Sequence, residues 1–422
     1  MNKNAENSGE INLLAIVFLI ILAASYVVNS MDRQSFPSLI PEIAKSFKVG
    51  LSAAGFLSTA FTLGIGVFGF ASGYFVDKYK RKYVLLVGIF IFSIFEFLTG
   101  IANSYGLMLT VRIFSGVGEA VQNAVLFTIL GSYFNRYRTI ALGTLNAAYG
   151  LGGFIGPIIA VSLYTDYHSY EPPFITFGII GLIFIPIIYL TIPYYFSEKV
   201  PTESKSEKIK AMEANVDSKL PSNFLNRNVI LLIIIAAIVG FSMYGFLSLY
   251  VKFLEAILGF TPKTASFSLS LFGLGAILGI VAGWFGDVFN QKIVIIISFL
   301  FAMLDAFLMF VVVKSADGQF LLSFFEGVFG SGFLFTNTYS MMQRSVRTNS
   351  VGKASGLFVT SLYIPSALAG YSFGFFASAY SFAVAGEIQM VIFPIIGIIA
   401  AALVKGELLR NNIERKYLKS MP

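Results

Sequence analysis

The chain contains no cysteine, a single histidine and a single tryptophan, and only 12% of its 422 residues are charged. The missing cysteines exclude disulfides, thiolate zinc sites and iron–sulfur clusters, and leave the redox compartment open. No G-x-x-x-x-G-K-[ST] loop is present, which argues against an ATP-driven pump. No H-E-x-x-H or G-x-S-x-G pattern is present either, which argues against a membrane-embedded hydrolase. No cluster suggests a metal site or a bound cofactor. His168 lies in a polar break at 165–171 and reads as a solvated loop residue rather than a pH sensor. The apolar run 11–28 is not followed by a small-residue cleavage site and continues through Met31 to Pro41, so it is expected to stay as a first helix.

Hydrophobic residues make up 56% of the sequence, and the mean hydropathy is +0.79. Soluble domains carry roughly 25% charged residues, so this much apolar surface cannot be hidden in a water-soluble core. The composition predicts a multi-pass protein of the inner or plasma membrane, its partner surface being the bilayer. The many Phe and Tyr residues suit lipid-facing surfaces and interfacial belts.

A spanning helix needs about 20 mostly apolar residues. Twelve segments meet this length: 11–40, 51–76, 83–102, 104–133, 138–164 and 172–195, then 228–256, 264–287, 292–313, 318–343, 351–379 and 384–405. The predicted fold is therefore an all-α membrane protein. Residues 1–195 form one six-helix bundle, and 227–422 form a second with a short cytoplasmic tail. The charge-rich stretch 196–226 lacks an apolar period and reads as a solvated cytoplasmic linker.

Among the 29 Lys and Arg residues, the expected outer segments hold only Lys45, Lys48, Lys252, Lys263 and Lys314, while Arg33 and Arg112 are intramembrane. The rest fall on one side, which predicts cytoplasmic termini. That bias also accounts for the net charge of +7, so no nucleic-acid partner is expected.

The two halves repeat weakly. Gly73-x-x-x-Asp77 recurs as Gly283-x-x-x-Asp287, and Gly116-Val117 recurs as Gly327-Val328, at matching points of the second and fourth helix of each half. Two such halves suggest a small-molecule site between them near the midplane and access by rocking.

On these motifs the chain resembles the major facilitator superfamily. The run from Gly73 to Lys82, with Asp77, Lys78 and Arg81, is similar to the signature G-x-x-x-D-[RK]-x-G-R-[RK], although Lys80 stands where the family has Gly. Arg112-x-x-x-Gly116-x-Gly118-Glu119 resembles the helix-four signature R-x-x-x-G-x-G-E. Asp32-Arg33 followed by Pro41 resembles helix one of the anion:cation symporters (sialin-like and sugar-acid carriers) and of the Spinster-like lipid carriers. The resemblance implies a monomeric, non-enzymatic secondary transporter. It also implies that Gly73, Asp77, Arg81 and Lys82 form a cytoplasmic latch holding helix two to helix eleven near Val351, with Asp287 as the weaker counterpart. Helix five carries Gly143, Gly152 and Gly156-Pro157, a partial match to an exporter signature, but Ala160-Val161 replace its final glycines. Helix packing explains these small residues as well.

Charged side chains inside hydrocarbon cost at least ~3 kcal/mol on insertion scales, so they mark function. Asp32 and Arg112 are both expected ~12 Å below the outer surface from a rise of ~1.5 Å per residue. Glu119 lies two turns past Arg112, on the same face and deeper. A carboxyl there would respond to the arrival and departure of a guanidinium, which makes Glu119 and secondly Asp32 the expected proton carriers. Arg33 or Arg112 would receive an anionic group through its planar fork; in the purely structural alternative, Arg112 and Asp32 form a fixed buried ion pair that locks two helices. Protons are the expected coupling ion, with Na+ as the alternative. Tyr26, Gln122, Asn123, Asn146, Tyr149, Tyr244, Asn337 and Tyr363 are candidates to complete a substrate cavity, and Glu326 is a candidate pathway acid. Glu96 and Asp305 occupy the third and ninth helices, and snorkelling or neutral acids are expected there. The predicted function is proton-coupled symport of a small organic anion. A Spinster-like lysolipid carrier or a drug/proton antiporter is the alternative.

Overall fold

The structure is a computed structural model that describes residues 13–198 and 214–419. Twelve long helices traverse it. In the first half these are α1 (Leu13–Phe47), α2 (Leu51–Lys78), α3 (Arg81–Gly100), α4 (Tyr105–Tyr133), α5 (Arg138–Tyr167) and α6 (Glu171–Thr191). In the second they are α7 (Arg227–Ala256), α8 (Pro262–Ala276, resuming as Gly279–Val288), α9 (Gln291–Phe307), α10 (beginning Ala316–Glu326 and ending Thr336–Arg344), α11 (Val351–Ala379) and α12 (Phe382–Gly386, then Phe393–Leu403). A tail helix, α13 (Arg410–Lys419), follows.

Short polar breaks make the helices alternate in direction, and local chemistry fixes their ends. The Ser104 side chain accepts from Leu107 N at 3.3 Å, and Asn226, Thr261 and Asn290 cap α7, α8 and α9 in the same way. His168 is exposed at the end of α5 with φ 55°, where a left-handed residue closes the last turn. Its place matches the solvated-loop reading.

Eleven of the described helices are long and apolar enough to cross a bilayer. The twelfth, α11, is rich in Ser, Gly and Ala because it packs closely against α2 and α7 rather than lipid. The main departure from the expected spans is α1, which runs to Phe47 straight through Pro37 and Pro41. Buried Phe36, Leu39 and Ile43 hold this final stretch against α6 and its neighbours. Tertiary packing thus outweighs the lost backbone bonds.

Three helices of the second half loosen into π-helical turns: Leu308–Val312 after α9, Gly327–Phe335 within α10 and Glu387–Ile392 within α12.

The described flanks of the central stretch make contacts with the helices beside them. Phe196 and Ser197 are buried, and Glu198 accepts from the backbone N–H of Arg81 and Lys82, each at 2.9 Å. A short helix at 214–219 brings Val216, together with Leu220 just beyond it, against Ile413 of α13. Asp217 there pairs with Arg410. The remainder of the predicted linker, 199–213, lies outside the described residues.

The two halves meet along α2–α11 and α5–α8. Gly73 faces Gly352 and Gly356 so closely that a Cβ would collide with their backbone, and Gly283 meets Thr139 and Ile140 likewise. These contacts run from the end that carries both termini to the midplane, where Gly66 meets Ile364 and Gly150 meets Gly273.

Candidate functional site

At the midplane α1 presents Asp32 and Arg33, consecutive residues that diverge by about 100° around the helix. Each meets a group of opposite charge on α4, and the partners are crossed. Asp32 accepts two bonds from Arg112 Nη1, both at 3.0 Å. Arg33 pairs with Glu119. Arg112 and Glu119 therefore share the α1-facing side of α4, as their seven-residue spacing requires. Gly116 and Gly118 between them let α2 and α3 approach at Phe61 and Phe92.

The two pairs occupy different environments. Arg33 reaches out of the first half, and its Nη1 donates to Tyr244 of α7 and Tyr363 of α11, both at 2.8 Å. Its guanidinium also lies 4.9 Å from the Tyr363 ring centre and 5.5 Å from that of Tyr149. The Asn29 amide lies 3.1 Å from Glu119 and donates to it when its nitrogen faces the carboxylate. Arg112 stays inside the first half, stacked on Phe36 and Phe61 at 4.4 and 4.2 Å. It also donates to Glu96 at 3.2 Å.

Of the two expectations for Glu96, snorkelling is overturned: the residue is fully buried where α3 packs on α4. The signal available was arithmetic, since the first half holds three deep acids and two deep arginines.

Several other candidates surround Arg33. Asn123 Nδ2 donates to Tyr26 at 3.0 Å. Tyr149 accepts from Gln34, a residue that sequence reasoning overlooked. Gln122 donates to the Ser25 carbonyl at 3.3 Å and borders Asn29. Asn146 joins the halves, donating to the Ser331 carbonyl at 3.0 Å. Asn337 stands apart. It donates to Ala282 O at 3.1 Å, while its own carbonyl accepts from Gln291, deeper toward the closed end. Glu326 also lies elsewhere, beside a small void among α7, α9, α10 and α12. Asp305 is buried with Glu326 within the second half, rather than snorkelling.

Below the Arg33 group an aromatic layer closes the interface. Phe127 of α4 stacks on Tyr339 of α10 at 4.2 Å, and Tyr339 stacks on Phe358 of α11 at 4.1 Å. Gln343 ties this layer by donating to Phe127 O at 2.9 Å and to Ser355 Oγ at 2.8 Å.

Two carboxylates hold the end beyond. Asp77 accepts from Gly352 N and Lys353 N at 3.0 and 2.8 Å, at the start of α11. Asp287 accepts from Thr139 N and Ile140 N at 3.2 and 2.9 Å, at the start of α5, and also pairs with Arg344. Both exploit the positive end of a helix dipole. Arg81 lies in the field of Asp77 and Glu198. Lys82 turns away, donating to the Tyr189 and Ile192 carbonyls at 2.7 and 2.6 Å within the first half. The helix-five glycines Gly152 and Gly156 sit against Val27 and Met31 of α1, which is close helix packing.

Comparison with known proteins agrees with this architecture. The model of the Major Facilitator Superfamily matches residues 22–370. A hexuronate transporter of Bacillus subtilis is 25% identical over 67% of this chain and 69% of its own length. A cis,cis-muconate transport protein of Acinetobacter baylyi is 23% identical over 92% of this chain and 94% of its own. A sphingosine-1-phosphate transporter of Danio rerio is 35% identical over 142 residues, and the chain spans 28% of that protein's length. The crystal structure of the transporter FucP in the outward conformation superposes with a TM-score of 0.68 at 15% identity, covering 93% of this chain and 99% of FucP. That of the human organic anion transporter MFSD10 gives 0.69 at 14% identity, with the same coverage. These two likenesses concern the fold. With a family match over most of its length, the chain is a multi-pass membrane transport protein that belongs to the major facilitator superfamily.

Proposed function

We propose that this transporter moves a small organic anion, a carboxylate or sugar acid, in symport with protons by alternating access. One observation carries the reading: the buried Arg33–Glu119 pair stands where the halves meet, with Tyr244 and Tyr363 of the second half already bonded to Arg33. A substrate carboxylate arriving there competes with Glu119 for the guanidinium. A carboxylate left buried without its cation takes up a proton, so anion binding and proton binding favour each other. The likeness to hexuronate and muconate transporters supports an acidic substrate. With cytoplasmic termini, the ties at Asp77 and Asp287 hold the cytoplasmic end shut.

A second reading, transport of a lysolipid or similar amphipath, draws on the 35% identity to the sphingosine-1-phosphate transporter over part of the chain. A phosphate would suit the same guanidinium.

Reconstituted protein tests both readings with labelled glucuronate, muconate and a lysophospholipid, each with and without an imposed pH gradient. Carboxylate accumulation that follows the gradient is expected. Glu119→Gln should abolish that accumulation and spare exchange at equal pH. Gradient-indifferent carboxylate uptake would refute symport, and uptake of the lysolipid alone would favour the second reading.

A further inference from the structure

The charges buried in the first half do not balance. Asp32, Glu96 and Glu119 are each 0% exposed, whereas the cations that pair with them are Arg33, at 8%, and Arg112, at 1%. Arg33 neutralises Glu119, leaving Arg112 alone between Asp32 and Glu96. A single nitrogen, Nη1, serves both carboxyls at 3.0 and 3.2 Å, so their oxygens face one another across it. The Asp32 and Glu96 carboxyls also bear directly on one another. Repulsion between two like charges this close is relieved when one of them takes up a proton.

Among the described residues, the helices packed around Glu96 bring no other cation to it. On α4 Glu96 faces Arg112 and Ser115, whose Oγ is 3.5 Å from Oε2, and on α1 it faces Asp32. On α6 Glu171 lies at the exposed start and Tyr189 in the last turn, and Tyr74, Asp77 and Lys78 of α2 lie at its opposite end. Glu96 Oε1 is buried with no hydrogen-bond partner. That is tolerable for the carbonyl oxygen of a neutral acid and costly for half of a carboxylate. The Phe36 and Phe61 rings cover Arg112 and limit water that could otherwise spread the excess charge.

We propose that Glu96 and Asp32 share one proton across Arg112, and that Glu96 is a further proton-holding residue of the transport site. With that proton in place the three carboxyls and two guanidiniums sum to zero. Two acids held close together with one proton between them are a known way to keep a carboxyl neutral near pH 7. Glu96 touches no substrate in this arrangement. It positions Arg112 and, through the shared proton, sets the charge of Asp32, which adjoins Arg33. The consequence for transport rests on the symport reading, because loss of the proton at alkaline pH would leave a negative charge beside the anion's site and weaken binding.

The proton itself can be tested without any substrate. Infrared spectra of the full chain in liposomes, titrated from acid to alkaline pH, report the carbonyl stretch of protonated carboxyl groups. Asp305 and Glu326 are buried too, so the readout is the wild-type minus Glu96→Gln difference. A carbonyl band that persists at neutral pH, shifts in deuterium oxide and is lost in the variant is expected. Absence of that band from the difference spectrum at neutral pH overturns the proposal. Should Glu96→Gln fail to fold, Asp32→Asn must remove the same band, because the proton belongs to the pair; its retention overturns the proposal equally. A second measurement is equal-pH exchange of labelled glucuronate, in which Glu96→Gln should lose the fall in rate at alkaline pH. A band present in liposomes that take up no glucuronate would sink the symport reading and leave the proton pair standing.

Discussion

Arg33 answers to Glu119, to two tyrosines of the other half and to two aromatic faces at once. A planar guanidinium can do this because its donors point in fixed, separate directions, whereas an ammonium is a point charge on a flexible stem. Arg33→Lys should keep the charge and lose the simultaneous engagement. One charged hydrogen bond contributes about 1.5–3 kcal/mol, so the apparent KM for the transported anion should rise roughly tenfold or more. Uptake kinetics with an unchanged KM would show that Arg33 does not meet the substrate. At this scale the sequence was readable in part. Asp32, Arg33, Arg112 and Glu119 announced themselves as charges inside apolar runs. The Asp32–Arg112 pair was one of the readings, but that Arg33 takes Glu119 was not readable, since consecutive residues on α1 can each reach α4 and only the rotation of the helix decides. Whether Glu96 snorkels was not readable for a related reason: only the fold shows that its face of α3 packs on α4.

Among the elements, α2 and α11 make the closest approach between the halves. It depends on Gly73 meeting Gly352 and Gly356 without side chains. Gly73→Leu should drive the two helices apart at the terminus-bearing end. The chain has no native cysteine, so one introduced at Ser355, buried in the closing layer, can report this directly. A shift of about 1.4 kcal/mol toward the open arrangement would speed thiol labelling there roughly tenfold. Unchanged labelling would mean that α2 and α11 yield elsewhere. Helix positions followed from hydropathy almost everywhere, because a lipid-facing surface leaves few alternatives. The exceptions have physical causes. α1 outruns its apolar segment because packing carries it through two prolines, and α11 is less apolar because its neighbours are helices rather than lipid.

For the molecule as a whole, Asp77 and Asp287 are mirrored clamps, each set on the first turn of a helix from the opposite half. The Gly-x-x-x-Asp repeat hinted at this symmetry, yet only the fold revealed that the second clamp grips α5 and recruits Arg344. Both must release before the terminus-bearing end can part. Asp77→Asn and Asp287→Asn should therefore each shift the open–closed balance, and the double variant should shift it by about the sum of the two. Spin-label distances across that end, at 277 K and 298 K, would measure all three shifts. A single variant that opens as far as the double one would show that one clamp is idle.

The π-helical turns in α9, α10 and α12 give the mirrored halves unequal mechanical characters. A π turn carries one residue more than the α-helical ladder needs, and that surplus can migrate or be absorbed at modest cost. Among the described residues every such turn belongs to the second half. In the proposed alternating-access cycle, the first half should travel as a stiff lever, while the second bends around it and takes up the slack.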